Sequence, residues 1–145
     1  MIHDRKLARI KRKRSFKIRS DSKLFFNDYS EEMFERIELV KNTFNDGLAL
    51  GFRNIKFTKA KNIIALRNAE LSVSKNTDLI CDEEYLPIKK SSLDLIISFF
   101  NLHASNDIPG ILFQINQSLK PNGLFMGCLF AVSYTHLTLP TMCVV

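Results

Sequence analysis

Acidic and small polar residues follow three short apolar runs in the sequence. Asp82, Glu83 and Glu84 come after one run, residues 98–101 lie at the end of another, and residues 51–54 follow a third. Carboxylates in such a position can accept hydrogen bonds from an amino or hydroxyl group of a nucleotide-like ligand. Acids after a strand are also common as solvated turn residues, and placement in a fold does not by itself establish a site. The residue types alone leave both interpretations open.

The apolar runs predict the strands of a parallel α/β sheet. The run at 93–100 is too apolar to be half exposed, which is typical of a central strand covered on both faces. Strands that alternate with helices along the chain indicate the α/β class, in which ligands bind outside the carboxyl ends of the strands. The predicted strands are 48–50, 63–66, 78–82, 93–100 and 124–130.

The first predicted helix spans residues 28–44. Asp28 and Glu31 have the spacing of a capping box, and apolar residues recur at helical intervals as far as Phe44. The Asn-Asp-Gly triplet at 45–47 then predicts a turn.

The second predicted helix begins after Asn106 or Asp107, with Pro109 in its first turn. It ends before a turn at 120–123, where Pro and Gly occupy favoured turn positions. Its apolar face is expected to contain Ile108, Ile111, Leu112, Ile115 and Leu119. Five phenylalanines in the apolar segments are expected in the core: Phe99, Phe100, Phe113, Phe125 and Phe130.

Composition and charge restrict the class of protein further. The chain has 145 residues, of which 46% are apolar and 25% charged, and this is typical of a single globular domain with its own core. Residues 1–20 have nine Lys and Arg against one acid, a net charge of +8, although the whole chain has only +6. A nucleic-acid-binding arm, a mitochondrial-type targeting peptide and a solvated helix all fit this basic segment. The three cysteines are far apart, which indicates a reducing compartment and no zinc pattern.

The last fifteen residues differ in composition from the rest of the chain. Residues 131–145 contain no charged side chain, and residues 132–141 resemble an in-frame translation of a transposase sequencing-library adapter. We therefore expect a non-native tail after Phe130 and leave Tyr134, His136 and Cys143 out of any chemical interpretation.

The order of motifs in residues 79–130 resembles that of a known enzyme family. An acidic segment at 82–84 is followed by Leu-Pro at 86–87 and by Ser-Leu-Asp-Leu-Ile at 92–96, where the fourth predicted strand begins. Leu-Lys-Pro-Asn-Gly follows at 119–123. This order resembles the S-adenosylmethionine-dependent methyltransferases of class I, type 11, with a Rossmann-like sheet. The resemblance implies a sheet that is truncated after the fifth strand. It also implies three regions: a basic segment at 1–27, an incomplete methyltransferase-like domain at 28–130 and a tail at 131–145.

A subgroup of that family shares finer motifs with this chain. The segments at 82–87, 101–103, 106–110 and 114–115, and the basic start at 4–7, resemble the biotin-synthesis-type relatives. That subgroup includes a complex I assembly factor that acts as an arginine hydroxylase. The resemblance implies a place in respiratory complex I assembly, in the cytoplasm of a bacterium or the mitochondrial matrix of a eukaryote. A protein substrate fits this resemblance better than nucleic acid, because the subgroup's own basic segment accounts for residues 5–18.

The resemblance also implies a cofactor, S-adenosyl-L-methionine, and a set of residues that bind it. Gly51 would provide a backbone contact, Asp82 and Glu83 would lie on the adenosine side, and Ser98 would face the cofactor cleft. No catalytic residue and no metal ligand is assigned, because methyl transfer depends mainly on alignment of the methyl donor and the nucleophile. The methyl acceptor stays open. His103 could act as a base, but a lone histidine after an apolar strand is more often a packed or capping residue.

The loop after the first strand departs from the family pattern. Phe52 and Arg53 stand where the family often has small residues, and Arg67 or Asn68 stands near the acid expected after the second strand. These departures favour an alternative function, that of a non-catalytic assembly or binding relative with a degraded cofactor loop.

Overall fold

The computed structural model describes residues 4, 7, 10, 11, 14, 22–40, 43–51, 60–67, 79–82 and 84–130. Its helices with continuously described ranges are α1 (Ser22–Glu38) and α2 (Ile108–Ser118), with a short 3-10 turn at Leu102–Ala104. Leu7, Ile10, Lys11 and Arg14 of the basic segment are also helical. Its strands are β1 (Phe44–Leu50), β2 (Ala60–Arg67), β3 (Leu79–Ile80), β4 (Leu93–Phe99) and β5 (Leu119–Cys128).

The five strands form one parallel sheet in the order β3-β2-β1-β4-β5. The expected α/β class with a parallel sheet is confirmed. Strand β1 lies between β2 and β4, so the direction in which strands are added to the sheet reverses beside β1. Ligands of open α/β sheets bind at such a reversal, outside the carboxyl ends of the strands.

Two apolar clusters cover the two faces of the sheet. Alternate residues of a strand point to opposite faces, and each of the central strands β1 and β4 contributes to both clusters. The cluster that includes α1 contains Met33, Ile37, Phe44, Ala49, Leu95, Ile97, Phe99 and Met126. The cluster that includes α2 contains Leu48, Leu50, Leu93, Ile96, Leu102, Ile111 and Ile115. Strand β4 is therefore covered on both sides, as its apolar run predicts.

The predicted bounds of the first helix are wrong at both ends. The helix begins at Ser22, so Asp28 lies inside it, and it ends at Glu38. Phe44 is the first residue of β1 and is 3% exposed. Phe44 fits the helical spacing of apolar residues, but it is apolar because its side chain packs into the core from the strand.

The turn predicted at 45–47 is likewise wrong, because these residues belong to β1. The backbone N–H groups of Asn45 and Asp46 donate to Oδ2 of Asp94, at 3.1 and 3.2 Å. A carboxylate from the neighbouring strand thus satisfies two amides that the turn interpretation assigned to a loop.

The second helix agrees with its predicted start but has a narrower buried face. Asp107 is the N-cap, since its Oδ1 accepts a hydrogen bond from the Gly110 N–H at 2.9 Å. Ile111 and Ile115 are buried, whereas the expected face residues Ile108 and Leu112 are exposed. Phe113 is 61% exposed, so its expected place in the core is wrong.

The remaining strands differ from prediction mainly in length. Strand β2 contains the predicted 63–66 segment, and β3 is limited to two of the five residues predicted at 78–82. Strand β5 begins at Leu119 and takes in the predicted turn at 120–123 as an irregularity, where the pairing with β4 shifts register and Asn122 has φ 65°. The expected tail at 131–145 lies outside the described residues. In the part of the chain that the structure describes, no helix has the length and apolar character that a membrane crossing requires.

Candidate functional site

The carboxyl ends of β1 and β4 lie next to each other at the reversal of the sheet. Leu50 pairs with Ser98, and Gly51 follows directly with φ +83°. A Cβ atom on Gly51 would lie 2.6 Å from the Phe99 carbonyl oxygen and 3.1 Å from Asn101 Cβ. Glycine is therefore required here both by its backbone conformation and by the close approach of the segment after β4.

Three polar side chains in and after the carboxyl end of β4 are buried, with no hydrogen-bond partner among the described residues. Ser98 is fully buried, Asn101 is 8% exposed and Ser105 is 6% exposed. Among the described residues, nothing forms a hydrogen bond with Ser98 Oγ, Asn101 Nδ2 or Ser105 Oγ. An unsatisfied buried polar group costs about 1–3 kcal/mol, and such groups are rare in native proteins. A polar ligand at the carboxyl ends of β1 and β4 would satisfy these groups.

An aromatic cluster borders the same end of the sheet. Phe100 has φ 45°, in the left-handed region that non-glycine residues rarely adopt, and it stacks on Phe130 with ring centroids 4.2 Å apart. Tyr29 of α1 meets Phe100 edge-on at 6.1 Å, and His103 meets Phe130 edge-on at 5.3 Å. The expected core position of Phe130 is wrong, since it is 45% exposed. The packing of His103 favours the packed interpretation over that of a base.

Asp82 holds the turn that follows β3. Its Oδ1 accepts a hydrogen bond from the Glu84 N–H at 3.1 Å, and its carbonyl oxygen accepts one from the Tyr85 N–H at 3.0 Å. These contacts fix the side chain near its own backbone, and the residue is half-buried. The second predicted acid, Glu83, lies outside the described residues.

The third acid of this run has a structural contact. Glu84 Oε1 accepts a hydrogen bond from the Asn106 N–H at 2.9 Å, just before α2. The Glu84 carbonyl oxygen accepts another from Gln114 Nε2 of α2 at 2.8 Å. The loop after β3 is thus attached to the helix that covers β4. The sequence shows Gln114 only as part of a family motif. Its contacts could not be predicted, because its partners lie 28 and 30 residues away along the chain.

The three predicted site residues that the structure describes, Gly51, Asp82 and Ser98, all lie at the carboxyl ends of strands. Strand β3 is two strands away from β1, and two strand spacings amount to about 10 Å. Asp82 therefore lies on one side of this end of the sheet, and Gly51 with Ser98 on the other. The segments between them, 52–59 and 68–78, lie outside the described residues, as do Phe52, Arg53 and Asn68.

A groove of about 350 Å³ lies at the amino ends of β1 and β4, opposite the carboxyl-end junction. Asp94 and Lys120 form an ion pair there at 3.0 Å, and Lys120 also contacts Asp46 at 3.3 Å. The hydrogen bond from Lys120 is the main reason that the pKa of Asp94 is lowered, and the same bond raises the pKa of Lys120. The charged groups beside this groove have each other as partners, so we interpret it as a structural network. Across the residues with described positions, no cluster of His, Cys, Asp and Glu has an arrangement that suits a metal ion.

The sheet and its flanking helices define an α/β domain with a parallel sheet, and the sequence comparison identifies the family. Residues 17–127 match the profile of the methyltransferase domain, type 11. This stretch is more than half of the chain, so the chain belongs to the methyltransferase domain family.

Among its relatives are proteins of more specific description. The chain is 43% identical over 65 residues to the mitochondrial arginine-hydroxylase NDUFAF5 of Danio rerio, a match that covers 45% of this chain and 20% of that protein. The human protein of the same name is 41% identical over 66 residues, which cover 46% and 19%. A candidate methyltransferase of Rickettsia prowazekii is 41% identical over 56 residues, which cover 39% and 25%. The matched stretch thus spans about a fifth to a quarter of these relatives.

Two solved structures are similar in fold. One is a candidate methyltransferase from Bacillus halodurans, with a TM-score of 0.50 and 13% identity, over 65% of this chain and 43% of that chain. The other belongs to a complex of the Haloferax volcanii Trm112 methyltransferase activator with a candidate methyltransferase. It has a TM-score of 0.50 and 17% identity, over 69% and 50% of the two chains. At such low identity the likeness is one of fold.

The described residues fit the cofactor that this family typically uses, S-adenosylmethionine. That molecule has amino, carboxyl and hydroxyl groups, and the junction of β1 and β4 has a buried amide donor on Asn101 and a buried hydroxyl on Ser98 without partners among the described residues. The chemistry of this donor set suits a polar ligand.

Proposed function

We propose that this chain is an S-adenosylmethionine-dependent methyltransferase-type domain with a Rossmann-like sheet. The observation that carries the proposal is a pair of buried groups, Ser98 Oγ and Asn101 Nδ2, that have no partner among the described residues and lie at the carboxyl ends of the two central strands. Polar groups of this kind are expected where a ligand completes the hydrogen bonding. Membership of the methyltransferase domain family supports the same cofactor.

Each proposed cofactor-binding residue has a distinct role. Gly51 provides backbone that no side chain obstructs, and Ser98 provides a hydroxyl on the neighbouring strand. Asp82 and Glu83 accept hydrogen bonds from the adenosine part, with Asp82 oriented by the turn that it holds. When bound, the cofactor supplies an activated methyl group, and the protein contributes position and exclusion of water. No side chain is proposed as a catalytic base.

The acceptor class is proposed from the named relatives. Because the arginine-hydroxylase relatives match 45–46% of the chain at 41–43% identity, we propose a protein acceptor and a place in complex I assembly. The setting would be the bacterial cytoplasm or the mitochondrial matrix. Mass spectrometry of the modified protein separates methylation, in which a methyl group replaces a hydrogen for a net gain of CH2, from hydroxylation, which adds one oxygen atom.

The proposed domain division treats residues 28–130 as an incomplete methyltransferase-like domain and residues 131–145 as an adapter-derived tail. Its support is the resemblance of residues 132–141 to a translated adapter. Sequencing of the source locus should give a different continuation after Phe130, and the same tail in the genome would contradict the proposal.

Calorimetric titration of the purified chain with S-adenosylmethionine tests the cofactor. We expect micromolar affinity, weakened about tenfold in Asp82→Asn, which keeps an oxygen for the Glu84 N–H and loses the charge. Asp28→Asn removes an exposed carboxylate from α1 and is the matched control, with unchanged affinity. A cooperatively folded chain that does not bind the cofactor would favour the alternative of a non-catalytic assembly protein.

A further inference from the structure

The side chain of Gln114 lies between α2 and the loop that follows β3. Its Nε2 donates to the Glu84 carbonyl oxygen at 2.8 Å, and its Oε1 accepts from the Leu86 N–H at 2.9 Å. A second, longer contact joins Nε2 to the Gly110 carbonyl oxygen at 3.3 Å. The carboxamide thus bonds to two backbone groups that lie two residues apart.

This pattern is that of a neighbouring strand. In a parallel sheet, one residue donates to the C=O of residue i and accepts from the N–H of residue i+2 on the next strand. A carboxamide has the same donor and acceptor as a peptide group. Gln114 therefore provides residues 84–86 with the hydrogen bonds that a sixth strand would provide.

The loop has little other support from the sheet. Strand β3 consists of two residues at the edge, and its described pairing with β2 is Leu66 with Leu79 and Arg67 with Ile80. Helix α2, in contrast, is anchored in the core by Ile111 and Ile115, which are at most 1% exposed. A link from Gln114 to residues 84–86 transfers the rigidity of that helix to the loop.

The same link reaches the proposed adenosine-side acid. Glu84, whose carbonyl oxygen Gln114 holds, donates its own N–H to Asp82 Oδ1 at 3.1 Å. The Glu84 carboxylate also accepts from the Asn106 N–H at 2.9 Å, so the loop is attached to the start of α2 as well. Any displacement of residues 84–86 would move the donor that orients Asp82.

We infer that Gln114 is a positioning residue that sets the place of the adenosine-side loop and thereby the recognition of the adenine base. The inference rests on the proposed function for its ligand, but the hydrogen bonds that carry it belong to the protein alone. Gln114 is not expected to touch the cofactor.

The test compares Gln114→Met with Asn116→Met. The first keeps the length of the side chain and loses its hydrogen bonds to Glu84 and Leu86, and the second makes a matched change at an exposed position of the same helix. Hydrogen exchange of the chain without ligand should show protection of the Leu86 amide reduced about tenfold in Gln114→Met, the equivalent of one hydrogen bond, with Ile111 and Ile115 unchanged. Equal loss of protection throughout α2, or no loss at Leu86, would overturn the inference.

Binding of S-adenosylhomocysteine and of its inosine analogue provides the second measurement. Gln114→Met should weaken the adenosine compound about fivefold to tenfold and the inosine compound less, because the misplaced loop loses selectivity for the base. Equal weakening of both compounds would overturn the inference. Failure of the unaltered chain to bind either compound would refute the proposed function, while the exchange experiment still decides whether Gln114 holds the loop.

Gln114→Glu replaces Gln114→Met if the latter does not fold. It keeps an acceptor for the Leu86 N–H and loses the donor to the Glu84 carbonyl oxygen. The expected changes have the same direction and are smaller, and unchanged exchange at residues 84–86 would again contradict the inference.

Discussion

The two ends of the central strand pair differ in how their polar groups are satisfied. At the amino end, Asp94 binds Lys120 and two backbone amides, and Lys120 also binds Asp46. At the carboxyl end, Ser98 Oγ and Asn101 Nδ2 are more deeply buried and have no partner among the described residues. At the amino end, the described polar groups thus bind one another. At the carboxyl end, the two buried groups could form hydrogen bonds with a ligand. The difference fits a fold that is stabilised at the amino end and for which we propose ligand binding at the carboxyl end.

The largest expected effect is at the carboxyl-end junction itself. Gly51→Ala places a Cβ 2.6 Å from the Phe99 carbonyl oxygen in a residue with φ +83°. We expect a loss of about 3 kcal/mol in the free energy of unfolding, from left-handed backbone strain and from the clash with a backbone atom. Chemical denaturation measures the loss. Gly127→Ala, whose Cβ would meet only the ring of Phe125 at 3.1 Å, is the control and should lose less than about 1 kcal/mol. Equal losses would mean that the two strands are not held this closely.

At the amino end, Asp94→Ala should lower the free energy of unfolding by about 2 kcal/mol. The change leaves the Asn45 and Asp46 amides without their acceptor, and this contributes more than the ion pair, which is partly exposed. Asp94→Asn keeps an oxygen for those amides, so it should lose less than half as much. If both variants lose the same amount in denaturant titrations, the ion pair rather than the amides stabilises this end.

The pH dependence of the free energy of unfolding gives a second test of the Asp94 interactions at the amino end. Hydrogen bonds from Lys120 and from two amides lower the pKa of Asp94 in the folded chain below its ordinary value of 3.8. A group with a lowered folded pKa stabilises the protein above its unfolded pKa and loses that contribution as the pH falls through the folded value. The advantage of the unaltered chain over Asp94→Asn should therefore be constant from pH 7 to about pH 5 and should decline as the pH falls below the ordinary value of 3.8. An advantage that is already lost at pH 5 would contradict this interpretation.

The sequence predicted the parts of the fold that depend on local pattern. Strand β4 and helix α2 were recognised because Leu93–Phe99 is continuously apolar and Asp107 is a regular N-cap. The boundary between α1 and β1 was missed because an acceptor 48 and 49 residues away, Asp94, makes 45–47 part of a strand. Long-range hydrogen bonds have no signature in the spacing of residues.

The positions of the candidate site residues were predictable from the sequence, but the burial of their polar groups was not. The carboxyl-end rule and the family motif select Gly51, Asp82, Glu83 and Ser98 from the sequence alone, and their roles toward a cofactor remain predictions. The sequence includes Asn101 only within the segment 98–101, and it does not reveal that the amide is buried without a partner among the described residues. That property depends on what packs around the side chain and not on its neighbours in sequence.

The smallest expected effect separates binding from stability at a single atom. Ser98→Ala removes a buried hydroxyl that has no partner among the described residues, so the free energy of unfolding should stay the same or rise by up to about 1 kcal/mol. Ser118→Ala removes a hydroxyl that is also buried but donates to the Gln114 carbonyl oxygen at 2.8 Å, so it should lose about 1 kcal/mol. Thermal and denaturant unfolding of the two variants gives the comparison directly. If Ser98→Ala is as destabilising as Ser118→Ala, the hydroxyl has a partner within the protein, and the carboxyl end is then no less satisfied than the amino end. If it is neutral or stabilising while affinity for S-adenosylmethionine falls, the hydroxyl is retained for binding, because a group that costs stability in the free protein must contribute elsewhere.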